Sequence, residues 1–178
     1  FHWMRSDNDT GGRLAAAHLV ATGRKRIVFV GPQRSPQRQF DERRDGFVEA
    51  LAAHGVTPVI VEPPAATDRH AQGVAAVADL LAAHPDTDAI FAASDLIAIG
   101  AIRALTEAGL RVPDDVAIVG FDGTPMARFS HPPLTTVLQD PPGAGELLVA
   151  SLLKLVRDEP AESVTLTPTL EIRASRGG

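Results

Sequence analysis

The feature that most constrains this chain is the run Val116-Ala117-Ile118-Val119, closed by Gly120-Phe121-Asp122-Gly123. Four consecutive apolar residues bounded by turn formers fit a strand buried on both faces, as in a parallel sheet sandwiched by helices. Asp122 then falls just past the C-terminal end of a central strand, where open α/β sheets bind their ligands. Comparable apolar runs stand at 27–30, 57–61 and 88–92.

The segments between these runs have helical spacing. Possible caps at 7–12 precede Leu14, Ala15, Leu19 and Val20, and Gly23 is placed to end that helix. Phe47, Val48, Leu51 and Ala52 mark an amphipathic helix over 40–54, stopped at Gly55. Asp68 is placed to cap an Ala- and Val-rich helix running to about 84, and Asp95 to cap one over 96–108 that Gly109 closes. Polar, Pro-containing loops are expected at 33–39 and 62–67. Alternation of this kind predicts an α/β fold, a parallel sheet with helices on both faces and all strand-end loops on one edge. Further on, Pro141-Pro142-Gly143 reads as an interruption, followed by an amphipathic helix over 144–157. Residues 164–170 and 171–175 alternate apolar and polar like edge strands.

Length permits one domain or two linked lobes. A formal charge of −5 argues against a DNA-binding surface in this piece, because such modules carry a basic face. Arg24-Lys25-Arg26 read as a solvated helix-to-strand turn. The chain has no cysteine, which excludes disulfides and thiolate metal sites and fits a cytoplasmic protein. No apolar run approaches bilayer-spanning length, so no membrane partner is expected. Histidines fall singly, without HxH or HExxH spacing, and neither a P-loop nor a GxSxG or GxGxxG pattern occurs. Neither catalysis nor a metal or other cofactor is expected.

VPDDVAIVGFDG at 112–123 and PPLTTVLQD at 132–140, in this order and distance, resemble the effector-binding core of the lactose-repressor/galactose-repressor (LacI/GalR) family of transcription regulators. DNDTGG at 7–12 leading to the strand at 27–30, the RxxGF pattern at 43–47 and EIRAS at 171–175 add to the resemblance. It implies a periplasmic-binding-protein-like (type I) core of two lobes joined by three crossovers. Residues 1–6 would be a crossover remnant and 7–138 the C-terminal lobe. Residues 139–165 would return to an incomplete N-terminal lobe, and 166–178 would cross back. The resemblance also implies a DNA-binding helix-turn-helix and most of the N-terminal lobe before the position of Ser6, so the chain is expected to begin inside a larger fold. The helix around Leu147 would then have an apolar face exposed, swapped or repacked.

By the same resemblance, Arg43 reaches into the inter-lobe cleft, where a planar guanidinium bridges hydroxyls or a carboxylate. Its alternative is a solvated helical arginine paired with Asp41 or Asp45. Asp122 matches the family's cleft carboxylate, and its plainer role is a turn cap. Ser94 stands where many sugar-responsive members carry Asn, and offers one short donor in place of an amide. Gln139 matches a cleft residue that bonds ligand or bridges the lobes. Asp68 falls where several members place an aromatic ring over the ligand. With Arg69 and His70 it makes that wall polar, pointing to a small, highly hydroxylated or charged effector.

The reading that follows is the effector-binding and dimerisation core of a LacI-type regulator. Its ligand would be a sugar, sugar acid or nucleoside-like molecule, and it would meet operator DNA only through the head outside this chain. Stripes on the helices at 71–81 and 97–105 are candidates for the homodimer face, their alternative being packing on the sheet. Two rivals use the same fold. One is a periplasmic-type sugar-binding protein of a transporter; the other is a small α/β enzyme.

Overall fold

The computed structural model describes residues 3–32, 37–63 and 68–176, so parts of the expected loops at 33–39 and 62–67 and of both ends lie outside the described residues. In chain order the elements are β1 (Met4–Ser6), α1 (Asn8–Ala21), β2 (Ile27–Val30), α2 (Arg38–Ala52), β3 (Val59–Val61), α3 (Arg69–Ala83), β4 (Ala89–Ala92) and α4 (Asp95–Glu107). There follow β5 (Ala117–Asp122), α5 (Pro125–Phe129), β6 (Thr135–Leu138), α6 (Pro141–Val156), β7 (Val164–Leu166), β8 (Thr169–Glu171) and a 3-10 turn, Ala174–Arg176.

Six strands form one sheet in the order β3-β2-β4-β5-β6-β8, parallel except for β8, which runs antiparallel to β6. Every residue of β2 and β4 is buried, because helices cover both faces. From β2 the chain moves outward through α2 to β3; from β4 it moves the other way through α4 to β5. Right-handed crossovers then put α2 and α4 on opposite faces. Helix α1 packs beside α2 and α3 beside α4. The order reverses between β2 and β4, which is the topological switch point where such sheets take ligands.

Each helix pair is held at close range by small residues. A Cβ on Gly12 would run into the Arg43 carbonyl, and one on Gly46 into that of Asp9. On the other face, a Cβ on Gly73 would meet the Ile97 carbonyl and one on Gly100 that of His70. Under the α1–α2 pair the rings of Phe29, Phe47, Phe91 and Phe121 touch in series, with centroids 4.8–6.5 Å apart. Gly23, Gly55 and Gly109, the expected helix stops, all have positive φ.

The motifs LTTV and EIRAS touch each other. Ser175 Oγ donates to the Ile118 carbonyl at 2.6 Å and accepts from the Thr135 N–H at 2.8 Å. Thr135 Oγ1 donates to the Arg173 carbonyl and accepts from the Arg173 N–H, while the Arg173 guanidinium reaches the Leu134 carbonyl at 2.6 Å. Thr135 and Ser175 sit buried beside β5, and both are paired.

Several expectations need correction. Pro141 and Pro142 start α6 rather than interrupt the chain: Asp140 caps it by accepting from the Gly143 N–H at 3.0 Å, and proline fits the first helical turn. The alternating stretch 164–170 is not one strand, for it breaks at Thr167-Pro168 into β7 and β8 of different sheets. Of the two roles weighed for the stripes on α3 and α4, packing on the sheet is the one taken by Ala76, Val77, Leu80, Ile97, Ala101, Ile102 and Leu105, which are buried in the core, while Leu81 and Ile99 are only partly buried. Strand β1, too short to show a period, pairs in parallel with β7 as a separate two-stranded sheet. No residue of α6 is buried, and Leu148, Val149, Leu152 and Val156 are each more than half exposed. No helix among the described residues is long and apolar enough to cross a membrane.

Candidate functional site

At the C-terminal edge of the large sheet, over the switch point, lies a cleft of about 440 Å³. A volume of this order suits a ligand of small-metabolite size. Arg43, Ser94, Asp122 and Gln139, from four separate elements or loops, all line it.

Arg43 projects from α2 and is only 4% exposed. Its Nε donates to Asn8 Oδ1 at 2.9 Å, its Nη1 to the Ala93 carbonyl at 2.6 Å, and its Nη2 stands 3.3 Å from Asp122 Oδ1. The guanidinium carbon lies 3.6 Å above the Phe121 ring. Contacts on three sides and a ring beneath fix one rotamer. Neither Asp41 nor Asp45 is its partner, since both pair with Arg44.

Asp122 ends β5 with φ 114°, a region that non-glycine residues rarely occupy. Such a backbone costs roughly 1–3 kcal/mol and persists only where surrounding bonds hold it. Here Gln139 Nε2 donates to Asp122 Oδ1 at 2.8 Å, on the oxygen that also faces Arg43. The other end of the amide, Gln139 Oε1, accepts from Ser6 Oγ at 2.6 Å. Gln139 therefore ties the end of β1 to the end of β5.

Burial governs the charges. It pulls the Arg43 pKa down to about 10, outweighing the attraction of Asp122, with the neighbouring positive charge of Arg69 adding to the fall. Burial likewise raises the Asp122 pKa, against the opposing pull of Arg43. Both partners shift towards neutrality, as expected when desolvation exceeds the Coulombic gain.

The cap expected at Asp95 falls to Ser94, which also lines the cleft. Ser94 is the N-cap of α4, its Oγ accepting from the Ile97 N–H at 3.4 Å. Asp95 sits in the first turn, fully buried, accepting from the Thr124 N–H at 2.6 Å, Thr124 Oγ1 at 2.9 Å and Thr136 Oγ1 at 2.5 Å. It fixes the loop after Asp122 to α4 and β6. Burial raises its pKa too, with those hydrogen bonds acting against the rise.

Asp68 does not line the cleft. It is an exposed N-cap, accepting from the Ala71 N–H at 2.7 Å, and its neighbour Arg69 is the lining residue instead. Successive side chains of a helix point about 100° apart, so a slip of one residue changes which of them meets the cleft. Asn8, Ser6 and Thr124 were likewise not singled out. Asn8 lies in the DNDTGG motif, but Asp7 is the cap there, accepting from the Thr10 N–H at 3.0 Å. Arg24, expected to be solvated, instead bonds the Asp88 and Pro113 carbonyls on the opposite edge of the sheet. Among the described residues no group of three or more His, Asp or Glu could hold a metal ion.

An α/β lobe with a polar cleft at its switch point defines a binding module of the periplasmic-binding-protein class. Comparisons with known proteins agree. Residues 16–176 match the family described as a periplasmic binding protein-like domain. The HTH-type transcriptional regulator CelR of Thermobifida fusca is 37% identical over 173 residues, 97% of this chain and 50% of that protein. A solved CelR–cellobiose complex superposes with TM-score 0.87 at 35% identity, over 98% of this chain and 54% of that one. A lac repressor dimer bound to operator and an anti-inducer superposes with TM-score 0.87 at 30% identity, over 98% of this chain and 52% of that one. The chain belongs to the LacI/GalR family. It spans about half the length of the curated relatives it matches.

Proposed function

We propose that this chain is the effector-binding core of a LacI-type transcription regulator. A small polar metabolite binds in the cleft at Arg43, Ser94, Asp122 and Gln139, and the whole protein acts as a homodimer on operator DNA. One observation carries the reading. Four side chains from elements far apart in sequence converge at the switch point, in a family whose members named above are regulators and include one solved with cellobiose. The Gln139 bridge supports a signalling role. A ligand hydroxyl that donates to Asp122 Oδ2 loads the same carboxylate that Gln139 holds through Oδ1, and Gln139 in turn holds Ser6. A ligand signals only if it favours one such arrangement over the other.

In this reading residues 7–138, with 166–178, form one lobe. Residues 1–6 and 139–165 belong with a second, which the separate β1–β7 sheet supports. The protein works in the cytoplasm, carries out no catalysis and needs no cofactor. A regulator is preferred to a transporter's sugar-binding protein because the relatives reported above are regulators.

Titrating the isotopically labelled chain with millimolar sugars, sugar acids, polyols and nucleosides tests this. The expected result is amide shifts confined to the loops at 94–96, 122–124 and 139, abolished in Arg43→Ala. Shifts elsewhere, turnover of a compound, or no response to the whole panel would count against it.

A further inference from the structure

The cleft holds two guanidinium groups and one carboxylate, and the charges do not cancel locally. Arg43 has Asp122 as its partner. Arg69 has none: it forms no ion pair among the described residues, and its contacts are Gln37 Oε1 at 3.0 Å and the Phe40 ring, 4.4 Å from its guanidinium carbon. The residues outside the description contain no Asp or Glu at all, so no acidic side chain there can neutralise it. Asp68, the acid next in sequence, spends one oxygen on the Ala71 N–H as an exposed cap, outside the cleft lining. Asp95 is fully buried behind Thr124 and Thr136, and Glu42 is engaged by Arg5 and Asn8; neither lines the cleft.

The hydrogen-bonding capacity is equally lopsided. Asp122 Oδ1 is already shared by Arg43 and Gln139, leaving Oδ2 as its open acceptor. Gln139 Oε1 and Asn8 Oδ1 are taken by Ser6 and Arg43. Arg69 keeps N–H groups beyond the one given to Gln37. Among the described residues the cleft lining offers no free ring for an apolar sugar face to stack on. Phe40 is 5% exposed and already carries Arg69, while Trp3 lines a different groove, with Leu148 and Leu152.

Resting on the cleft reading above, we infer that the effector is an anionic polyol, a sugar acid or sugar phosphate. Its hydroxyls meet Asp122 Oδ2 and its acid group pairs with Arg69. A planar, weakly hydrated guanidinium braced against Phe40 is suited to a carboxylate or phosphate, and two paired N–H donors give it direction. The anion also relieves the repulsion between Arg69 and Arg43, which is already felt at Arg43.

The test uses matched pairs titrated into the chain by calorimetry and NMR: gluconate against glucose, galacturonate against galactose, and a sugar phosphate against its parent sugar, with inorganic phosphate alone as a control. The acid member is expected to bind about tenfold tighter or more. That preference should vanish in Arg69→Gln and shrink with added salt. Arg69→Gln should fold normally, since among the described residues Arg69 contacts only the Gln37 side chain and the face of Phe40, at the edge of the fold. Equal binding of acid and neutral members, both lost in Arg43→Ala, would overturn the anionic effector while leaving the cleft intact. Inorganic phosphate binding as tightly as the sugar phosphate would also overturn it, because Asp122 would then contribute nothing. Binding of none would overturn both.

Discussion

Arg43 and Asp122 face each other with Nη2 3.3 Å from Oδ1, the arginine all but buried and the aspartate about one-third exposed. Their union crosses from the helix after β2 to the end of β5, so it spans the switch point. Arg43→Ala leaves Asp122, Asn8 and the Ala93 carbonyl without their shared partner. Losing one member of a buried pair of this kind costs about 3 kcal/mol. Arg43→Lys should recover less than half of this, because one ammonium cannot reach three acceptors set at the angles of a guanidinium. Urea denaturation of the three proteins measures both; a loss in Arg43→Ala within experimental error would refute the geometry.

Gly73 crosses α4 where its missing Cβ would meet the Ile97 backbone carbonyl. No rotamer change relieves a clash with backbone, so the helix pair must part. Gly73→Ala is expected to cost about 2 kcal/mol or more, although alanine favours a helix by about 1 kcal/mol. A net stabilisation in thermal melts would show that α3 and α4 pack less closely than described.

His18 makes the fold sensitive to mild acid. Its Nε2 is buried without a partner among the described residues, and burial, reinforced by the positive charge of Arg176, lowers its pKa. A folded pKa below the unfolded value means the unfolded chain binds the proton more readily. Stability is then complete above about pH 6.5 and is lost as pH falls through the folded pKa. His18→Leu should flatten the difference in melting temperature between about pH 5 and about pH 7.5. An unchanged difference would assign the acid sensitivity to other groups.

Helix α6 tests where the core ends. Leu105 of α4 is fully buried, whereas Leu152 and Leu153 of α6 are about half exposed. Leu105→Ala should cost about 3 kcal/mol, while Leu152→Gln with Leu153→Gln should cost no more than about 0.5 kcal/mol. The double variant should also reduce self-association, since large exposed apolar patches drive it. Light scattering and denaturation distinguish the outcomes; a large stability loss would mean that α6 is covered in solution.

Much of the fold was readable because its signals are local. Strands β2 and β4 are apolar without interruption, β5 is so up to its final Asp122, and Gly23, Gly55 and Gly109 end helices at positions that require positive φ. Arg43, Ser94, Asp122 and Gln139 were legible because each sits in a motif whose neighbours mark it. Asn8 was not, because nothing in its own segment shows what it faces, and Arg69 was read only as part of a polar wall led by Asp68. Strand β1 was missed for a similar reason: its only partner, β7, lies 160 residues away in register.

The sequence by itself determined the alternation of buried strands and amphipathic helices, hence the parallel sheet, its ligand edge and the family. These follow from hydrophobic periodicity and turn chemistry, which act between near neighbours. Tertiary structure alone decided which groups are spent and which are open. It gave the Ser94 hydroxyl the cap and Asp95 the buried anchor, turned Asp68 outward and Arg69 inward, and matched Arg43 with Asp122 while leaving Arg69 without a carboxylate. Hydrogen bonds and charges are settled across space, by whichever partner the packing brings within about 3 Å, and that distance is not written in the order of residues.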